Sequence, residues 1–204
     1  MSLKRTQLEQ EHGMNFILNS LRGGHPDKYY FENRKYIDAF LKQLRFYFRP
    51  SPQKVYRGIL LNPQDVPDLK LKPLDYMSFL SFSEDKSIAH VFADMESDMA
   101  MPYRYINPEH EGFLIEYTVQ PDEIMFHHSW ADTLGIERFF GDDIKIVHAQ
   151  KEVMIKNSPK VFDLVPVQRG VSNGQTHGVS YDSHSELQKI LALGKNSGIG
   201  IITF

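Results

Sequence analysis

The stretch from Met77 to Ala93, MSFLSFSEDKSIAHVFA, changes its hydrophobic period part-way, and that change limits what the chain can fold into. Ser78, Leu80 and Phe82 alternate with Phe79, Ser81 and Ser83, the two-residue period of a strand. Ile88, Val91, Phe92 and Met95 then follow at helical spacing. Ser83 reads as the N-cap of that helix, with Glu84 and Asp85 in its first turn, where acids complement free amides and the positive dipole end. The spacing predicts a strand running directly into a helix. Small hydroxyls beside large aromatics on the strand suggest a floor for a bound group rather than plain core.

Around this stretch the periodicity predicts an α+β protein. A helix is expected over Thr6 to Leu21, ended by Gly23 and Gly24, and a clearer one over Phe31 to Phe48, ended by Pro50 and Pro52. The second carries Ile37, Phe40, Leu41, Leu44, Tyr47 and Phe48 as an amphipathic stripe. From Arg34 to Arg57 there are seven cations against one acid, Asp38, which reads either as a solvated face or as a positive rim for an anionic ligand. Strands are expected over Lys54–Leu61, Gly112–Val119, Asp122–Phe126 and Val161–Val167, with one or two more inside Ile144–Ile155. Asn62 to Leu74 is a Pro-punctuated loop, and Asp94 to Glu111 a long irregular one in which Tyr103 and Tyr105 offer rings for stacking.

Helices followed by short strands suggest N-terminal helices packed on a mainly antiparallel, sandwich-like sheet. The length of 204 residues favours one domain. Within it, residues 1–50 form a helical segment, 51–168 the core and 169–204 an extension rich in Gly, Ser, Asn and His, helical over Glu186 to Leu193.

Several function classes are disfavoured. The absence of cysteine removes disulfides, thiolate metal sites and cysteine nucleophiles, and agrees with a reducing compartment. A net charge of −3 does not point to nucleic acid or membrane. The opening MSLKRTQLEQEHGMNF lacks the apolar centre of a secretory signal, and no run approaches the ~18 apolar residues of a membrane span. A cytoplasmic location, or export by a signal-independent route, is the expectation. The phosphate loop GxxxxGK, the dinucleotide fingerprint GxGxxG and the GxSxG elbow are all missing. His127 and His128 are adjacent, so on a strand or a helix they face different ways, which argues against a metal pair.

A three-part pattern remains. Arg57 sits among Val55, Tyr56, Ile59 and Leu60, where a cation needs an anion or strong acceptors, and Gly58 follows it. Ser81 and Ser83 lie on the strand that enters a helix. Glu152 lies on an apolar strand two residues after Gln150, and at period two both side chains share a face.

In this order the pattern resembles the arginine-serine-glutamate branch of the mono-ADP-ribosyltransferases. VYRG matches the family's arginine strand, SFS with EDKSIAHVFA its Ser-Thr-Ser strand and following helix, and QKEVMI its Glu/Gln-x-Glu strand. The resemblance covers roughly Ser51 to Val167, with Phe82 where threonine is usual and an insert between Phe126 and Gln150. It implies a split β-sandwich whose core is an NAD-binding catalytic unit over 51–168. NAD would be the co-substrate, with no metal. Arg57, Gly58, Ser83 and Phe92 would bind it; Arg57 would take the diphosphate and Gly58 would admit the nicotinamide amide. Glu152 would stabilise the positive charge that builds on the ribose, Ser81 would hold ribose and glutamate, and Gln150 would select the acceptor. In the family a glutamine at this position accompanies asparagine or guanine rather than arginine acceptors. The implied partner is a macromolecule, protein ahead of nucleic acid. NAD glycohydrolysis and a non-catalytic binding module are the alternatives.

Overall fold

The computed structural model describes residues 3–21, 26–72, 79–94, 108–140, 150–156 and 160–167. Ser78, Met95, Tyr103, Tyr105, the segment from Ile144 to His148 and everything after Val167 lie outside the described residues. Two long helices, α1 (Leu3–Leu21) and α2 (Pro26–Phe48), precede seven strands. These are β1 (Gln53–Leu61), β2 (Lys70–Leu71), β3 (Phe79–Ser83), β4 (Glu111–Val119), β5 (Ile124–His127), β6 (Glu152–Lys156) and β7 (Phe162–Pro166). Helix α3 (Lys86–Ala93) follows β3. Among the described residues no helix is long and apolar enough to cross a membrane.

The strands form one antiparallel sheet in the order β2-β7-β4-β1-β3-β6-β5. The class is thus α+β as expected, with the strands joined edge to edge. The two halves of the sheet are unequally joined. β1 pairs with β4 along its whole length, Gln53 to Leu61 against Val119 to Glu111, and β3 pairs with β6 from Phe79 to Ser83. Between β1 and β3 a single pair is in register, Tyr56 with Ser83. Away from that pair the two strands separate, and the sheet opens.

The helical pair covers the β3-β6-β5 half. Phe16, Ile17 and Leu21 of α1 and Ile37, Phe40, Leu41 and Leu44 of α2 are buried in one cluster with Leu80, Phe82, Phe126 and Ile155. Phe16 meets Phe79 edge-on at 5.4 Å, and Phe48 stacks on Trp130 at 5.0 Å. Arg45 donates to the Ile124 carbonyl on the edge strand β5 (2.9 Å), so part of the basic run ties helix to sheet instead of facing water. Tyr47, expected in the buried stripe, is 70% exposed. At the end of α2 Phe48 stacks on Trp130, while Tyr47 meets only the edge of Phe48 among the rings of the described residues and otherwise faces water.

Helix α3 covers β1 and β4, and its buried face is small. Ala89 and Ala93 are buried with Leu114, while Ile88, Val91 and Phe92, expected to be the packing stripe, are half-buried. Two glycines explain the approach. A Cβ on Gly58 would come within 1.9 Å of the Ala89 carbonyl oxygen, and one on Gly112 within 1.7 Å of that of Ala93. Phe82 points into the opposite layer against Tyr117 and Phe162, so the residue that departs from the family's threonine is core.

Candidate active site at the split in the sheet

Where β1 and β3 separate, a cleft of about 290 Å³, counting the space open at its mouth, is lined from four elements. Tyr56, Arg57 and Gly58 come from β1; Ser81, Phe82 and Ser83 from β3; Ile88, Ala89 and Phe92 from α3. Gln150 and Glu152 complete it. All seven residues picked out in the sequence therefore meet at one place, although they span nearly a hundred positions. Tyr56, Ile88 and Ala89 were not foreseen. Ile88 and Phe92 stand four apart on α3, a spacing that reads equally as packing or as one wall of a cleft.

Glu152 is the most constrained group. It opens β6 opposite Ser83, so its side chain shares a face with Ser81 and Ser83. It is 4% exposed. The Ser81 hydroxyl donates to its Oε1 at 2.5 Å, while Oε2 is sealed from water and has no hydrogen-bond partner among the described residues. Burial pushes its carboxyl up from the ordinary 4.5 to about 7, and the Ser81 hydrogen bond opposes that rise without cancelling it. The site thus holds an acid that titrates near neutrality and presents one oxygen in need of a donor.

The serines and the arginine serve this geometry differently. Arg57 is 6% exposed and donates to the Ser81 carbonyl across the split (2.9 Å), so one partner of the buried cation is a backbone acceptor. Ser81 therefore ties both sides, receiving Arg57 on its carbonyl and giving its hydroxyl to Glu152. Ser83 was expected to cap α3 and does not. Its hydroxyl donates to the Gln150 carbonyl (2.7 Å) and accepts from the Asp85 amide (2.9 Å). The cap is Asp85, whose Oδ1 accepts from the Ser87 amide at 3.0 Å. Pairing in the sheet continues through Ser83, so the helix starts later than residue types alone indicate.

Gln150 also sits differently from expectation. It belongs to the turn before β6, and Lys151 between it and Glu152 has φ 47°, the left-handed region. The period-two argument fails, because Gln150 is not on the strand, yet both residues line the cleft. Three ties hold this turn against the β3–α3 junction. They are Ser83 to the Gln150 carbonyl, the Glu84 amide to the Lys151 carbonyl (3.1 Å), and Lys151 Nζ to Asp85 Oδ2 (2.9 Å). A left-handed non-glycine residue costs on the order of 1–2 kcal/mol and persists where its surroundings fix it.

Gly58 has a reason other than ligand approach. It lines the cleft, and the close approach of α3 alone excludes any side chain there. Phe92 stands at the wall of the cleft, half-buried.

Comparison with family models, with curated proteins and with solved structures returns no match. The cleft's chemistry has to be read from its own residues. A buried carboxyl with an open acceptor, steadied by a hydroxyl beside a guanidinium, can grip a ligand hydroxyl and favour positive charge developing next to it.

Proposed function

We propose that the chain is an NAD-dependent mono-ADP-ribosyltransferase, which cleaves the bond between nicotinamide and ribose and passes ADP-ribose to a macromolecule. The observation that carries this reading is Glu152. An arginine, a serine and a glutamate from three separate strands share one cleft, and the glutamate has a buried oxygen that a ribose hydroxyl can satisfy. The sheet, split between the arginine strand and the serine strand, agrees with the ADP-ribosyltransferase architecture.

Each residue has a role that its chemistry supports. Loss of nicotinamide builds positive charge on the ribose, and an ionised Glu152 gripping a ribose hydroxyl stabilises that charge. Ser81 holds the carboxylate in place through its 2.5 Å hydrogen bond. The guanidinium of Arg57 suits the diphosphate through paired donors, and Ile88 and Phe92 give an apolar wall for a ring. The enclosed space of the cleft is only about 20 Å³, the size of a single water, so nicotinamide and its ribose enter only if its walls part, and the rest of a dinucleotide lies outside its mouth. Gln150 is a neutral amide and cannot act as a general base, but it can orient an amide or a purine through donor and acceptor together. A glutamine here, in the pattern of the resembled family, leans away from arginine as acceptor, and the partner proposed is a protein ahead of nucleic acid.

The test uses labelled NAD with cell lysate, the products being digested separately by protease and by nuclease. Label that protease releases from macromolecules is the expected result. Label found only in free ADP-ribose makes the chain a glycohydrolase, and no NAD affinity at millimolar ligand by calorimetry makes it a non-catalytic binding module.

A further inference from the structure

Outside the cleft, Glu84, His127 and His128 form a compact cluster that the proposed reaction does not use. Adjacent histidines were expected to diverge. They converge because β5 ends at His127 and a 3-10 turn begins at His128, which swings the second ring alongside the first. The rings stack at 4.7 Å with 25° between their planes. His127 Nε2 lies 3.1 Å from Glu84 Oε1 and His128 Nε2 2.7 Å from Glu84 Oε2. One ligand atom from each residue falls within 4.8 Å of the others.

We propose that Glu84, His127 and His128 bind a divalent transition ion of the Zn²⁺ class, pinning β5 to the β3–α3 junction. Two imidazole nitrogens and a carboxylate oxygen are a donor set for such ions, and tetrahedral zinc places its ligand atoms roughly 3.3 Å apart, close to the spacing here. The side chains are 12%, 19% and 31% exposed for His127, His128 and Glu84, which leaves a path for the ion and a place for water as a fourth ligand. The nearby cation Lys151 is held by Asp85.

An outer partner is also in place. His127 Nδ1 accepts from the Ser129 amide at 3.2 Å and lies 2.7 Å from the Ser129 hydroxyl. When Nε2 ligates, the imidazole proton moves to Nδ1, which gives up the Ser129 amide bond and donates to the Ser129 hydroxyl instead, the arrangement that orients ligating histidines. Because the Glu84 amide binds the Lys151 carbonyl, an ion on Glu84 braces the turn that carries Gln150 and leads into Glu152.

The single tryptophan of the chain reports on the site directly, since the Trp130 ring lies 6.2 Å from that of His127. The experiment titrates the full chain, free of any histidine tag, with Co²⁺ or Ni²⁺ while following Trp130 fluorescence, and repeats it with Zn²⁺ by calorimetry. One ion per chain with saturable quenching, reversed by a chelator, is expected. His128→Ala should abolish binding at the same concentrations. Ser129→Ala, which keeps all three ligands, should weaken it about 10-fold. Circular dichroism and melting of the ion-free variants show whether they are folded. Absent or non-saturable quenching of the folded chain, or equal affinity in folded His128→Ala and Glu84→Gln, would overturn the proposal and leave the cluster a hydrogen-bonded strut. None of these readouts depends on NAD or on activity, so this proposal and the transferase reading fail independently.

Discussion

β1 has two neighbours, and it is bound to them very differently. Against β4 it pairs from end to end, its glycine meshed with the backbone of α3; against β3 it keeps one registered pair. On the first side the ladder runs the full length of both strands. On the second side the strands part, and side chains replace the missing ladder. Arg57 reaches the Ser81 carbonyl, Ser81 reaches Glu152, and Glu152 keeps one buried oxygen unanswered. The continuous ladder lies on the closed side, and the buried ionisable group with an open acceptor, Glu152, on the open side. That division is what makes the cleft a candidate for binding and catalysis.

The largest expected effect breaks the closed side. Gly58→Ala sets a methyl group against a backbone carbonyl oxygen that cannot step aside, so α3 must shift. A loss of about 3 kcal/mol or more in denaturant unfolding is expected. An unchanged midpoint would mean that α3 is not held as tightly as described.

On the open side the sign reverses. Glu152 has a folded-state pKa of about 7 against an ordinary 4.5, so the folded chain holds a proton that the unfolded chain releases. Its contribution favours folding at low pH and is lost as pH rises between those two values, by up to about 3 kcal/mol. Glu152→Gln removes that loss. Melting curves should show the variant gaining on the parent chain as pH increases, and parallel pH profiles would contradict the burial of the carboxyl.

Ser81→Ala removes the donor to Oε1, a hydrogen bond worth about 2 kcal/mol when the acceptor is charged. Glu152 should then titrate higher, and on the transferase reading nicotinamide release, expected to rise through about pH 7 in the parent chain, should rise only at more alkaline pH. Lys151→Gly is the smallest change. Relief of the left-handed backbone, on the order of 1 kcal/mol, is offset by loss of the exposed ion pair to Asp85. Stability should move little, while turnover falls if the turn needs that tether. A large destabilisation would show that Lys151 does more than fix the turn.

Much of this division could be read from residue order, and its decisive part could not. Alternation through Leu80, Ser81, Phe82 and Ser83 marked β3, and its two faces are as that period implies. Arg57, Ser81 and Glu152 stood out because their chemistry conflicted with the strands that carry them. The single β1–β3 pair was invisible, since strand register is set by contacts far apart in sequence. Local readings failed where a boundary fell one or two residues from its expected place. Ser83 continues the sheet, Gln150 precedes β6, and a strand end between His127 and His128 turns two diverging rings into a stacked pair. Tyr47 followed the helical period but, at the end of α2, faces water.

The central claim is that Glu152 drives cleavage of the nicotinamide-ribose bond. Nicotinamide release from NAD by the parent chain and by Glu152→Gln, each with calorimetric NAD affinity measured in parallel, tests it most directly. The account predicts a rate at least about 100-fold lower in the variant, with affinity changed only a few-fold. Release at the parent rate from a variant that still binds NAD would contradict it.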